Sequence, residues 1–99
     1  MAQQTYEDAV RKLAADIAEL CIQKHRDYGT GNLINTPFSP RTVIAVRLYE
    51  KVARMANLVE THKEAQNESL FDTYQDIIGY TMAALMIEEG TFTLPMESV

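Results

Sequence analysis

The stretch Ile77-Ile78-Gly79-Tyr80-Thr81-Met82-Ala83-Ala84-Leu85-Met86-Ile87 is apolar almost all the way round when wound as a helix. A helix without a polar face has to be surrounded, and that demand narrows the folds open to the chain. At 99 residues there is room for one small domain with a modest core. Two further helices in so short a chain are too few to cover the stretch. The sequence therefore predicts a single all-α domain, residues 1–99, with a three-helix subunit assembling into a helical-bundle homo-oligomer. The apolar stretch and part of the first helix are expected at the interface between copies.

The three helices are expected at about 5–27, 40–62 and 68–89. In the first, Val10, Leu13, Ala14, Ile17, Leu20 and Cys21 recur at steps of three and four. Thr5 followed by Asp8 resembles a capping box, while the residues before it are expected to be loose. Lys24, His25 and Arg26 suit the negative end of the helix dipole, and Gly29 supplies a left-handed cap. Residues 28–39 hold Gly29, Gly31, Asn32, Asn35 and Pro37, which marks an ordered loop. It is longer than the ~2–8 residues usual between bundle helices, so it reads either as a binding loop or as a plain crossover. Ser39-Pro40 starts the second helix, with Ser as N-cap and Pro at the first position. Ile44, Leu48, Val52, Met55 and Val59 form its apolar stripe, and Arg47, Glu50, Lys51, Arg54 and Asn57 its polar edge. A short polar turn at 64–67 leads to the third helix, which ends at Gly90. The tail 91–99 alternates weakly through Phe92, Leu94 and Met96, and is read as lying across a neighbouring subunit or as disordered.

Charge excludes some functions. Nine Lys+Arg against fourteen Asp+Glu leave a net charge of -5, which opposes binding to duplex DNA, where affinity comes from neutralised phosphates. A local cationic cluster can still hold a small nucleotide. The lone Cys21 gives neither an intrachain disulfide nor a Cys-based zinc site, which fits a reducing cytoplasm. The first twenty residues carry Glu7, Asp8, Asp16 and Glu19 with no apolar h-region. No run approaches the ~18 apolar residues of a membrane span. A soluble cytoplasmic protein with no membrane partner is expected.

The chemistry gathers on two helix edges. Glu68, Asp72 and Asp76 fall one turn apart on a single face, and such like charges repel by a few tenths of a kcal/mol per pair, at roughly 0.2–0.5 each. The row needs a compensating cation. Mg²⁺ could supply it, with Glu50 as a further ligand from the second helix. Equally, Arg47, Lys51 and Arg54 could pair with these acids between helices with no metal involved. The cations are spaced to clamp a phosphate or pyrophosphate, or else form a solvated stripe. Gly79, one turn beyond Asp76, costs about 1 kcal/mol relative to Ala in a helix interior, and close approach of a ligand or helix would account for it. Ahead of the loop, Lys24 could contact phosphate, Tyr28 stack on a base, and Asn32 and Asn35 bond base or sugar edges. The same residues read otherwise as a helix end and its cap, as His25 and Arg26 do. His62 reads as solvated. No Ser/His/Asp or Cys/His arrangement and no phosphate-binding glycine motif is present, so nucleophilic catalysis lacks support.

Three pieces of the chain stand in order with helix-compatible spacing: Lys24-x-x-Asp27-Tyr28-Gly29, Arg47-Leu48-x-x-Lys51-x-x-Arg54-x-x-Asn57-Leu58, and Glu68-Ser69-x-x-Asp72-Thr73-x-x-Asp76-x-x-Gly79-Tyr80. In these the chain resembles the phage and bacterial family called nucleotide modification associated domain, first type, thought to be related to the MazG-like all-α nucleoside triphosphate pyrophosphatases. The resemblance implies an oligomeric helical protein that handles a nucleotide, with the acids of the third helix near a Mg²⁺-phosphate site. It makes Lys24, Tyr28, Asn32, Arg47, Lys51, Arg54, Asn57 and Tyr80 the candidate ligand-binding residues, and Glu50, Glu68, Asp72 and Asp76 the candidate metal ligands. The chain departs from the MazG-like Glu-Glu-x-x-Glu motif, because Glu50 is joined by Lys51 and Arg54, and cations do not hold Mg²⁺. The expected function is therefore to bind and sequester a phosphorylated nucleotide, such as a host immune signal that is cyclic or derived from ADP-ribose. A Mg²⁺-dependent pyrophosphohydrolase and a structural interaction module are the alternatives.

Overall fold

In a computed structural model, residues 3–61 and 69–97 are described, and among them every regular element is helical. The helices are α1 (Tyr6–Tyr28), α2 (Gly31–Ile34), α3 (Pro40–Thr61) and α4 (Leu70–Glu89). Three of them match the expected three-helix pattern to within two residues. The fourth, α2, is a single turn inside the loop expected at 28–39, begun at Gly31 and closed by the Asn35 N–H donating to the Gly31 carbonyl at 3.0 Å. Glu68, His62 and the turn at 64–67 lie outside the described residues. None of the helices is long and apolar enough to cross a membrane.

Local chemistry sets the helix ends. The Asp8 N–H donates to Thr5 Oγ1 at 3.1 Å and the Thr5 N–H to Asp8 Oδ2 at 3.3 Å, closing the capping box at the start of α1. At its other end the Gly29 N–H reaches the His25 carbonyl at 2.8 Å, with φ of 66°. Ser39 Oγ accepts from the Thr42 N–H at 3.2 Å ahead of Pro40. Gly90 ends α4 at φ 79°, its N–H on the Ile87 carbonyl and the Thr91 N–H on the Met86 carbonyl, which is the Schellman arrangement. A Cβ on Gly90 would meet nothing within 4 Å, so only backbone strain opposes a side chain there. Gly90→Ala is expected to cost about 1 kcal/mol in urea denaturation.

The main packed pair is α3 with α4. Arg41 in the first turn of α3 grips Glu88 in the last turn of α4 through two hydrogen bonds, at 2.6 and 2.8 Å, so the helices run antiparallel. This fork raises the guanidinium pKa and lowers that of the carboxyl, chiefly through its hydrogen bonds and then through charge. At the same end Leu33 of α2, Val43 and Ile44 of α3 and Phe92 of the tail form the buried core, with Ala84, Met86 and Ile87 packed on it. The expectation for the tail is corrected here: Phe92 turns back into its own chain. The α3 stripe is corrected as well. Ile44, Leu48 and Met55 lie inward together with Val43 and Leu58, whereas Val52 and Val59 are on the open side. Stepping by four along a 3.6-residue helix drifts round its axis, so the stripe as drawn leaves the buried face. α1 touches α4 with its rear part alone, where Ile17 is buried, and the radius of gyration, 15.8 Å, exceeds the ~13 Å of a compact chain of this length.

Candidate functional site

Where the rear of α1 crosses α4, a recess of about 730 Å³ opens between these two helices, the flank of α3 and the segment holding α2. That volume falls in the ~300–1,000 Å³ usual for small-molecule sites. Its apolar side comes from Leu20, Leu33, Met82, Met86 and Phe92, with Met96 of the tail at its edge. Its polar side brings together Lys24 and Tyr28 of α1, Asn32 of α2, Arg47 and Lys51 of α3, and Asp72, Asp76 and Tyr80 of α4. Six of the eight candidate ligand-binding residues, with two of the candidate acids, thus share one cavity. Arg54 and Asn57 do not: they lie farther along α3, with Arg54 half-buried and the Asn57 carbonyl accepting from Thr61 Oγ1 at 2.7 Å. Asn35 is likewise not among the lining residues.

The electrostatic centre of the recess is Asp76, whose side chain keeps 16% of its exposure. Lys51 Nζ donates to its Oδ2 at 2.9 Å, and Lys24 Nζ donates to its Oδ1. Burial alone would push this carboxyl up, but the hydrogen bonds and charges of Lys24 and Lys51 outweigh it and hold the pKa below the ordinary carboxylate value. The compensating cations for the acidic row are therefore side chains at this position. One was expected on α3; the other comes from α1 and was not.

The remaining acids are engaged elsewhere. Asp72 is the third residue of α4, where its N–H donates to Ser69 Oγ at 3.0 Å and its carboxylate accepts the Ser69 N–H at 3.4 Å. It is a capping residue, and the signal was in the sequence: Ser69 with an acid three positions on, ahead of an apolar run, is the capping-box pattern. Drawing the helix from residue 68 hid it. Glu50 is exposed and lies 3.7 Å from Arg47 on its own helix. Among the described residues no three of His, Cys, Asp and Glu gather closely enough to hold a metal. Asp76 thus lies between two ammonium groups and Asp72 on a helix start. Glu68 lies outside the described residues.

Two smaller features belong to the same wall. A Cβ built on Gly79 would lie 4.0 Å from Cys21 Sγ, an ordinary contact, so the approach of α1 does not by itself require glycine there. Burial pushes the Cys21 thiol up, with Lys24 opposing, so the sulfur keeps its proton and is a poor nucleophile. Sequence reasoning missed Phe92, Met86 and Met82 as lining residues. Of these, the weak alternation of the tail was the sole hint, and it pointed outward.

A family model described as nucleotide modification associated domain 1 matches residues 24–87. No curated protein and no solved structure is significantly similar to the chain.

Proposed function

The chain belongs to the nucleotide modification associated domain 1 family, and from that premise we propose that the recess binds a phosphorylated nucleotide and retains it intact. The observation that carries this reading is the convergence of Lys24 and Lys51, from separate helices, on one carboxylate at the wall of an apolar-floored cavity. Two ammonium groups already held a few ångströms apart present a phosphate with donors whose ordering cost is largely met in advance. Arg47 adds a third cation to the wall. Tyr28 is exposed at the rim and offers a ring face to a base, while the Asn32 amide has both donor and acceptor for a base or sugar edge.

Charge narrows the guest. Lys24, Arg47 and Lys51 against Asp72 and Asp76 leave the wall one positive charge in excess, which suits a phosphodiester or monophosphate better than a triphosphate. The biological role we attach to it is sequestration by a phage-type protein of a host signalling nucleotide, cyclic or ADP-ribose-derived.

Thermal denaturation with cyclic mononucleotides, cyclic dinucleotides, ADP-ribose compounds and nucleoside triphosphates, each with and without Mg²⁺, tests this. Ligand at a hundredfold excess over Kd adds about 2.7 kcal/mol of stability, which in a chain this small raises Tm by about 10 °C or more. The shift is expected with a diester or monophosphate and is lost in Lys51→Met. No shift with any compound would sink the reading. Release of pyrophosphate from triphosphates would replace it with the hydrolase.

A further inference from the structure

Of the chain's five methionines, Met82, Met86 and Met96 line the recess. Met82 and Met86 stand one turn apart on α4, so they share a face of that helix. Met96 reaches the same cavity from the tail. The Schellman turn at Gly90 redirects the chain, the Leu94 N–H closes a further turn on the Thr91 carbonyl at 3.2 Å, and the buried Phe92 holds the segment in place. Methionines that served only to fill a core would be buried. Met82 and Met96 instead keep 39% and 41% of their exposure beside an open cavity.

Resting on the reading of the recess as a nucleotide site, we propose that Met82, Met86 and Met96 are the platform for the base, and that the site accepts any of the common bases in place of selecting one. The two sides of the recess divide the guest. Phosphate is drawn to Lys24, Arg47 and Lys51, which leaves the ring to the apolar side. A thioether is polarisable and turns about three bonds, so it beds against an aromatic ring of either size. Such contacts read no pattern of donors and acceptors. Asn32 and Gln75 add amides to the lining, and an amide turned end for end offers donor and acceptor in either order. Several of the charged groups are already engaged: Lys24 and Lys51 donate to Asp76, and Asp72 accepts the Ser69 N–H. Adaptable methionine surfaces serve proteins that hold several partners at one place. Recognition here comes from a ring joined to a phosphate, whichever base the ring belongs to.

Calorimetric titration of the full chain with cyclic mononucleotides and cyclic dinucleotides of adenine, guanine, cytosine and uracil, and with ribose 5-phosphate as the base-free probe, tests this. Within each series the bases are expected to bind within about tenfold of one another, and ribose 5-phosphate more weakly than any nucleotide that binds. Met82→Gln and Met96→Gln keep the length of the side chain but replace the thioether with an amide. Each is expected to weaken every nucleotide that binds by about threefold to tenfold while leaving ribose 5-phosphate unchanged. Should a variant lose its helical circular dichroism, the comparison of bases on the wild type still decides. A preference for one base of about a hundredfold or more, the mark of a site that reads base edges, overturns the inference. So do folded variants that bind nucleotides as the wild type does, and ribose 5-phosphate binding as tightly as the nucleotides. Silence from every probe overturns the nucleotide reading and this inference with it, a result distinct from binding that ignores the methionines.

Discussion

Cutting Phe92 back to alanine is expected to cost the fold about 3–5 kcal/mol, the range for removing a buried aromatic ring. Phe92 is 8% exposed and packs with Leu33, Val43 and Ile44, and its ring stands T-shaped to that of His25 at a centroid distance of 5.1 Å. It therefore fastens four pieces of chain: the tail, α2, the first turns of α3 and the end of α1. Against a total of about 5–15 kcal/mol for a small domain, one such loss removes a large share of the stability. Urea denaturation followed by circular dichroism, at matched protein concentration, measures it. Leu94→Ala, at a tail position that is exposed, is expected to change stability by less than about 0.5 kcal/mol. If the two substitutions proved equally mild, Phe92 would not be part of the core in solution.

Replacing the central carboxylate, Asp76→Asn, is expected to move stability and anion binding in opposite directions. It withdraws the acceptor shared by Lys24 and Lys51 and leaves two ammonium groups facing each other, at a cost of about 1–2 kcal/mol for a pair at the edge of water. The same withdrawal frees both donors for a guest. Affinity for a phosphodiester should rise about tenfold, equivalent to about 1.4 kcal/mol, as Asp76 no longer competes with the phosphate. The pH dependence has a definite sign. The folded pKa of Asp76 is depressed, so its contribution to stability is fully present above the unfolded value of about 3.9 and is lost as pH falls through the folded one. That part of the acid limb should be missing from the Asp76→Asn variant when unfolding is followed between about pH 5 and pH 2. Calorimetric titration with the ligand found by thermal shift checks the affinity. A fall in affinity would mean that the ordering of Lys24 and Lys51 by Asp76 outweighs its competition with the phosphate.

The helix boundaries could be read because caps are local. Thr5 with Asp8, Ser39 with Pro40, and Gly90 announce their roles within four residues of chain, and each acts as expected. What could not be read is long-range. Lys24 and Asp76 are 52 positions apart, and nothing around either residue tells that the other will be its partner. Periodicity shows that the front of α1 is apolar, but not that its own chain leaves it uncovered while covering the rear. The same limit explains the tail, where an alternating Phe92, Leu94 and Met96 fits a foreign surface as well as a home one. The cationic edge of α3 was legible as an edge. Its division at Lys51, with Arg47 and Lys51 facing the recess and Arg54 and Asn57 beyond it, depends on where α1 happens to cross.

The Arg41–Glu88 fork sits at the end of the α3–α4 hairpin opposite the chain connection between those helices. Covalent linkage restrains one end, and at the other the fork fixes register while Ile44, Leu48, Ala84 and Ile87 pack beside it. Both ends of the hairpin are thus tied, one by the chain and one by the fork. α1 has no such double restraint: Lys24 on Asp76 is the ion pair that ties its rear to α4 among the described residues.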